Sequence, residues 1–133
     1  MKKKVVVFGI FDGVHEGHRN FFYQAAQHGD VIAIVGRDRI SMQLKNEEPK
    51  HSEGERLSFV EKEENVTRAV LGDEELSTYE VLKEISPDIV CLGYDQGELK
   101  KDLVKWVETH KEKIELVETK AYKPDIYHSS LLK

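Results

Sequence analysis

The stretch FGIFDGVHEGHRNFF, residues 8–22, contains three glycines and two histidines and directly follows a run of valines. Glycine and histidine weaken regular structure, so packing alone does not call for them between a strand and a helix. We therefore interpret the stretch as the turn of a strand–turn–helix unit whose residue types are set by a function other than folding.

Short apolar, β-branched runs recur along the chain and alternate with segments of helical periodicity. The five runs are KVVVFG (4–9), VIAIVG (31–36), RAVLG (68–72), DIVCLG (88–93) and IELVE (114–118). Each is continuous rather than alternating, which is typical of strands buried on both faces. Strands that alternate with helices predict an α/β fold, here a Rossmann-like three-layer sandwich with a five-stranded parallel sheet.

The predicted helices have identifiable ends. RNFFYQAAQHG is expected to end with Gly29 as its C-cap, and SEGERLSFVEKEE to begin with Ser52 as its N-cap. STYEVLKEISPD is expected to begin at Ser77 or Thr78 and to end before Pro87, and ELKKDLVKWVETH forms the last helix. The segment GRDRISMQLKNEEPK is expected to be a polar loop.

Composition limits the class of protein. The 133 residues, 39% hydrophobic and 34% charged, fit one soluble domain over residues 1–133. No apolar run reaches the about 18 residues that cross a bilayer, and the apolar run after MKKK is shorter than the core expected of a signal peptide. A single cysteine, Cys91, fits a reducing cytosol, and the net charge of −5 argues against a nucleic-acid-coating surface. We expect a cytoplasmic protein without a nucleic-acid or membrane partner. Whether the chain forms a homodimer is left open.

Polar residues and glycines follow four of the predicted strands at their carboxyl ends, in GIFDGVHEGH, GRDRISMQLKNEEPK, GYDQ and KAYKPDIYHSS. Ligands of such sheets bind beyond the carboxyl ends of the strands. The first loop is neither a G-x-G-x-x-G nor a Walker A motif, and HEGH lacks the spacing of an H-E-x-x-H zinc site. Its glycines allow a phosphate chain to approach, and its histidines can donate to phosphoryl oxygens at a helix N-terminus.

These residues carry a family resemblance. FGIFDGVHEGH resembles the G-T/N-F-D-x-x-H-x-G-H signature of the nucleotidylyltransferase superfamily, in its cytidylyltransferase-like branch. HSEGERLSFV, SPDIVCLGYDQ and YHSSLLK resemble later segments of that family, so that the likeness covers nearly the whole chain. GYDQ in particular is similar to archaeal-type FAD synthases, and FDGVHEGH to the adenylyltransferase half of bifunctional FAD synthetases.

The chain departs from the family pattern at several points. Ile10 stands where many members have threonine or asparagine, and Tyr127 and His128 replace Ile-Ser. The chain ends at Lys133, before the helix that usually follows the last motif. These departures bear on efficiency more than on reaction class.

The resemblance implies that an acceptor phosphate attacks the α-phosphorus of a nucleoside triphosphate in line and that pyrophosphate leaves. No protein nucleophile is needed, because catalysis consists of positioning and charge neutralisation. The catalytic residues it implies are His15, His18, Lys45 and Lys123. Nucleotide binding is implied for Gly9, Ile10, Phe11, Asp12, His15, Gly17, His18, Gly93, Asp95, Ser129 and Ser130. Acceptor binding is implied for Lys45, Arg56 and Tyr127.

Cofactor and substrate follow from the same resemblance. Mg²⁺ or another divalent cation is expected to arrive with ATP or CTP, with Asp12 as an indirect partner and no direct protein ligand. The leading hypothesis is transfer of AMP from ATP to FMN, with Tyr122, Ile126 and Tyr127 as the surface for the flavin ring. The alternatives are a cytidylyltransferase acting on glycerol 3-phosphate or a similar phosphate, and a nucleotide-binding module without turnover. For Arg56, a cap or an ion pair on its own helix is the competing interpretation.

Overall fold

A computed structural model describes residues 2–120, in which five strands form one sheet. The strands are β1 (Lys4–Gly9), β2 (Asp30–Val35), β3 (Arg68–Leu71), β4 (Ile89–Leu92) and β5 (Glu115–Glu118). All neighbouring strands pair in parallel, in the order β3-β2-β1-β4-β5. The predicted five-stranded parallel sheet of a Rossmann-like fold is confirmed.

Helices cover both faces of the sheet. They are α1 (Glu16–Ala26), α2 (Asp38–Lys45), α3 (Glu53–Glu61), α4 (Glu80–Ile85) and α5 (Gly97–His110). One core cluster contains buried residues of α1 and α3, and the other contains buried residues of α4 and α5. Within residues 2–120, no helix has the length and apolar character needed to cross a membrane.

Strand β1 explains why the sequence pattern is continuous. Val5, Val6 and Val7 are all fully buried. Val5 and Val7 belong to the core cluster on one face, and Val6 belongs to the cluster on the other. Because both faces of this central strand are covered, an apolar residue is needed at each position and no polar residue alternates with it.

The order in which strands are added to the sheet reverses at β1. From β1 it continues to β2 and β3 on one side, and later returns to β4 and β5 on the other. The connections leave the carboxyl ends of β1 and β4 in opposite directions, so that a crevice opens between them. This is the place where ligands bind in open α/β sheets.

Two helix ends differ from the prediction. Helix α1 ends at Ala26 with Gln27 as its C-cap, so the predicted Gly29 C-cap is wrong. Helix α4 begins at Glu80, after both Ser77 and Thr78, so neither residue is its N-cap. The α3 prediction is confirmed, because Ser52 Oγ accepts the N–H of the third helical residue in a capping box.

The segment expected to be a polar loop contains a helix, α2. It is only eight residues long and mixes polar and apolar side chains. Its apolar residues Ile40 and Leu44 are four positions apart, which places them on one helix face. That face lines the cavity described below rather than the core, which is why the pattern did not indicate a core helix.

Candidate active site

A cavity of about 830 Å³ opens at the carboxyl edge of the sheet. A residue at or just after the end of each strand lines it, namely Gly9, Gly36, Gly72, Gly93 and Thr119. The cavity therefore extends across the whole sheet and includes the crevice between β1 and β4. Four of these five positions are glycine, which keeps the backbone accessible to a ligand.

His15 and His18 lie at the first turn of α1 and both line this cavity. His15 is the N-cap, and its Nδ1 accepts the backbone N–H of Gly17 at 3.0 Å. The Nδ1 of His18 accepts the backbone N–H of His15 at 3.3 Å. Because both Nδ1 atoms act as acceptors, each neutral ring carries its proton on Nε2. The capping arrangement thus gives both rings the tautomer that donates from Nε2.

The glycines of this loop make room for aromatic rings. A Cβ at Gly17 would lie 2.8 Å from the His15 ring, and a Cβ at Gly9 would lie 2.5 Å from the Phe11 ring. The Phe11 and His18 rings meet edge to face with their centroids 5.5 Å apart. Two of the glycines that the sequence suggested for phosphate approach are therefore also needed to position the histidines.

Phe11, predicted to bind nucleotide, has a buried side chain. It is only 4% exposed and packs against Phe22, with ring centroids 5.3 Å apart. Its backbone adopts φ 57°, a conformation that bulky residues rarely take and that the surrounding packing must offset. The Phe11 ring supports the His18 ring from the core, so any contact with a nucleotide falls to its backbone or to the exposed edge of the ring.

Asp12 fastens the loop after β1 to the connection between α2 and α3. Its carboxylate accepts the backbone N–H groups of Lys50 (2.7 Å) and His51 (3.0 Å), and contacts the His51 ring at 2.9 Å. Burial raises the pKa of Asp12, but these hydrogen bonds outweigh it, so the pKa lies below its ordinary value. Both carboxylate oxygens have partners within the protein, which is consistent with the expectation that Asp12 is not a direct ligand of a metal ion.

Arg56, predicted to bind the acceptor, is fully buried and does not line the cavity. Its Nη1 donates to the carbonyl oxygens of Ile10 (2.7 Å) and Gly36 (2.6 Å), and its Nη2 to Asp38 (2.6 Å). Its Nε donates to the carbonyl of His51 at 3.1 Å. A buried guanidinium is tolerated only when its donors are satisfied, and this one links three loops. Because its donors are committed to these loops, the contacts favour the competing interpretation of Arg56 as a structural ion pair over the predicted acceptor contact.

The GYDQ segment borders the opposite side of the crevice. Gly93 and Asp95 line the cavity, as does Tyr94, which is 45% exposed. Sequence reasoning gave no role to Gln96, whose Oε1 accepts the Gly93 N–H at 2.8 Å and whose Nε2 donates to the Phe8 carbonyl at 2.9 Å. Gln96 therefore bridges the carboxyl ends of β1 and β4 and fixes the width of the crevice.

Lys45 is the last residue of α2, whose Ile40 and Leu44 line the cavity. On the far side, Lys120 also lines it. The Lys120 backbone exchanges two hydrogen bonds with the Gln24 side chain, each 2.9 Å long. The chain after β5 is thus held beside α1.

The predicted site residues Lys123, Tyr127, Ser129 and Ser130 lie outside the described residues, as do Tyr122 and Ile126 of the predicted ring surface.

The two ends of the cavity differ in chemistry. Toward β4 and β5 it is lined by Asp95, Gln96, Thr119 and Lys120. Toward β2 and β3 it is lined by apolar side chains from α2 and by residues of the β3–α4 connection, which sequence reasoning missed. The sequence contains a signal for this part of the lining, because apolar residues stand inside a connection that is otherwise rich in acidic residues. Among residues 2–120, no group of three or more histidine, cysteine or carboxylate side chains could hold a metal ion.

Comparison with known proteins agrees with this geometry. The model of the family described as cytidylyltransferase-like matches residues 6–132. An FAD synthase of Methanococcoides burtonii is 42% identical over 105 residues, which cover 75% of this chain and 71% of the relative. An FAD synthase of Thermococcus sibiricus is 35% identical over 97 residues, which cover 72% of this chain and 66% of the relative. The chain thus spans about two thirds of the length of these curated relatives.

A solved structure gives the same result for the fold. A protein of Thermoplasma volcanium described as a lipopolysaccharide core biosynthesis protein superposes with a TM-score of 0.83 at 27% identity. The alignment covers 92% of this chain and 100% of that one. The arrangement of strands and helices is therefore shared over nearly the full length of both.

Proposed function

Since this chain belongs to the cytidylyltransferase-like family and is a nucleotidyltransferase, we propose that it transfers AMP from ATP to FMN, forming FAD and pyrophosphate. The family predicted from the resemblance of FGIFDGVHEGH to the nucleotidylyltransferase signature is confirmed. The choice of ATP and FMN is supported by the FAD synthases that are 35% and 42% identical to this chain.

The proposal rests on the histidine pair that lines the cavity at the start of α1. An oxygen of the acceptor phosphate forms a bond to the α-phosphorus, and the bond from that phosphorus to the bridging oxygen of pyrophosphate breaks. Negative charge accumulates on the oxygens around the α-phosphorus as this happens. The Nε2–H groups of His15 and His18 would donate to these oxygens, and donors held in place in this way stabilise the transition state.

The other predicted residues are assigned roles by their position. The backbone of Gly9, Ile10 and Gly17 would approach the triphosphate, and Gly93 and Asp95 would contact the base or ribose. Lys45 would bring positive charge from the α2 side. These roles are supported by the cavity lining for all but Lys45, which lies at the end of a helix that contributes to that lining.

Further positive charge would come from the C-terminal segment. Lys123 follows the cavity-lining Lys120 by three residues, which span at most about 11 Å. We propose that its ammonium group contacts the triphosphate, as the family resemblance implies. Ser129 and Ser130 remain proposed nucleotide contacts, and Tyr127 a proposed acceptor contact, on the strength of the family motif.

A divalent cation would enter as part of the substrate. Mg²⁺ bound to the triphosphate neutralises charge on its oxygens. The two oxygens of Asp12 already accept hydrogen bonds from the protein, which favours a cation held by the phosphates. Other expectations stay predictions: a single domain, a cytoplasmic location, a homodimer as one alternative, and the absence of nucleic-acid and membrane partners.

A substrate matrix tests the proposal. Pyrophosphate release is measured with ATP or CTP, each in combination with FMN or glycerol 3-phosphate. We expect release with ATP and FMN, accompanied by FAD. Release with CTP and glycerol 3-phosphate alone would replace this proposal with a cytidylyltransferase, and nucleotide binding without release in any combination would leave a binding module.

A further inference from the structure

The connection between β3 and α4, residues 72–79, has an unusual backbone. Ser77 has φ 64° and Tyr79 has φ 48°, although neither is glycine. Left-handed backbone at such residues costs conformational energy and persists only where surrounding contacts offset it. Both residues line the cavity. This loop, called the β3–α4 loop below, is thus held in a specific shape at the edge of the site.

Asp102 of α5 supplies contacts to both left-handed residues. Its Oδ2 accepts Ser77 Oγ at 2.6 Å and Tyr79 Oη at 2.5 Å. Burial and the nearby Asp102 charge raise the pKa of Tyr79, so its hydroxyl stays protonated as a donor. The Tyr79 ring packs edge to face on Phe8 and Trp106. One carboxylate, more than twenty residues away in sequence, fixes the side chains of both strained positions.

Asp73 fixes the same loop at its other end. Its carboxylate accepts Thr78 Oγ1 at 2.6 Å and the first two N–H groups of α4, from Glu80 at 2.5 Å and Val81 at 3.0 Å. Asp73 therefore provides the N-terminal cap of α4 that no residue adjacent to the helix provides. The loop between the two aspartates has little freedom to rearrange.

Helix α2 is linked to the loop from the opposite side. Arg37 Nε donates to the Gly72 carbonyl at 2.8 Å, and Arg39 forms an ion pair with Glu75 at 2.9 Å. These contacts set α2 and the loop as two walls of the same end of the cavity. Leu44 of α2 is 62% exposed and Leu76 of the loop is 43% exposed, and both line the cavity.

We propose that Asp102 is a positioning residue that, through Ser77 and Tyr79, holds the β3–α4 loop so that Leu76 and Leu44 form the binding surface for the flat isoalloxazine ring of the acceptor. This inference rests on the proposed function. It places the ring at the β2–β3 end of the cavity, whereas sequence reasoning placed it on the C-terminal tyrosines.

Distance and charge support this orientation of the acceptor. Strands β1 and β3 are two strand spacings apart, about 10 Å, which the ribityl chain of FMN can bridge. Asp73, whose hydrogen-bond donors are all uncharged, lines the same end of the cavity and disfavours a phosphate there. The uncharged ring therefore lies at this end and the acceptor phosphate lies at the histidine pair.

The test is steady-state kinetics of FAD formation together with FMN binding, followed by flavin fluorescence in the presence of a non-hydrolysable ATP analogue. Leu76→Ser and Asp102→Ala are each expected to raise the KM and Kd for FMN at least about tenfold, the usual effect of altering an apolar contact surface. The KM for ATP should stay near that of the wild type. Asp102→Asn keeps one acceptor oxygen and should recover part of the FMN affinity.

Two control variants separate this role from general destabilisation. Val107→Ala removes a side chain of α5 that packs against the core cluster containing Tyr79, so it should lower the thermal midpoint without changing the KM for FMN. Tyr94→Ala, at the other end of the cavity, should raise the KM for ATP instead.

The outcomes distinguish a failure of this inference from a failure of the proposed function. If the wild type forms FAD while Leu76→Ser and Asp102→Ala keep its KM for FMN, the inference is overturned and the proposed function stands. If Val107→Ala raises the KM for FMN as much as Asp102→Ala does, Asp102 has only a structural role. If the wild type does not use FMN with ATP, the proposed function fails and the inference fails with it.

Discussion

The imidazole rings of His15 and His18 lie with their centroids 4.0 Å apart and their planes inclined by 34°. Each ring uses its Nδ1 to accept a backbone N–H of the same helix turn. One set of hydrogen bonds therefore both caps α1 and selects the Nε2–H tautomer for the cavity. Helix stability and catalysis can be separated experimentally at His15.

The first prediction separates the two roles of His15. His15→Ala should lower the free energy of unfolding by about 1 kcal/mol, because α1 loses its N-cap. His15→Asn should keep most of that stability, since asparagine is a good N-cap, and yet lose activity because its amide cannot reproduce the position of Nε2–H. Urea unfolding and pyrophosphate release measure the two effects. Wild-type turnover in His15→Asn would remove His15 from the catalytic group.

The second prediction concerns Arg56, which is buried and bonded to three loops. Arg56→Ala leaves the carbonyl oxygens of Ile10, Gly36 and His51 without this donor and opens a cavity, so unfolding should become easier by about 3 kcal/mol. The control is Arg68→Ala, which changes an exposed arginine and should have an effect within about 0.5 kcal/mol. An unchanged urea midpoint in Arg56→Ala, with a raised KM for the acceptor, would refute the structural role and support the acceptor contact instead.

The third prediction is a pH dependence that originates at Asp12. Its pKa is lower in the folded than in the unfolded protein, so its contribution to stability is present above the unfolded value, near about 4. The contribution is lost as the pH falls through the folded value. The wild type should therefore be more stable than Asp12→Asn at about pH 6, and the difference should shrink below about pH 4. A difference in urea midpoint that grows on acidification would refute this assignment.

The fourth prediction concerns Cys91, whose thiol is buried in β4. Burial, with a smaller contribution from Glu115, raises its pKa to about 11. The thiolate is the reactive form, so the native protein should react very slowly with an aromatic disulfide reagent at about pH 8. The same protein in denaturant should react at once with one thiol per chain. Rapid reaction of the native protein would show that β4 opens to solvent.

Features encoded by neighbouring residues were predictable from the sequence. The five strands follow from continuous apolar runs, because a strand buried on both faces needs an apolar residue at each position. The Ser52 cap follows from a pattern three residues long. The positions of His15 and His18 at the start of α1 follow from one strand–turn–helix segment.

Features that depend on distant residues could not be read in this way. The partners of Arg56 come from three separate loops, so no local pattern distinguishes a ligand contact from a buried ion pair. Asp102 looks like one more charged residue of a surface helix until the fold brings Ser77 and Tyr79 to it. Helix α2 was missed because its apolar face lines a cavity instead of the core.

The role of the histidine pair in catalysis is decided by the rate of FAD formation from ATP and FMN, measured for the wild type and for His18→Ala. The His18 ring lies at the cavity surface beside Phe11, and its removal should leave the far-ultraviolet circular dichroism unchanged. We expect the wild type to form FAD and pyrophosphate in equal amounts, and His18→Ala to do so about 10²-fold or more slowly, the usual cost of deleting one transition-state donor. FAD formation by a folded His18→Ala variant at the wild-type rate would contradict the account.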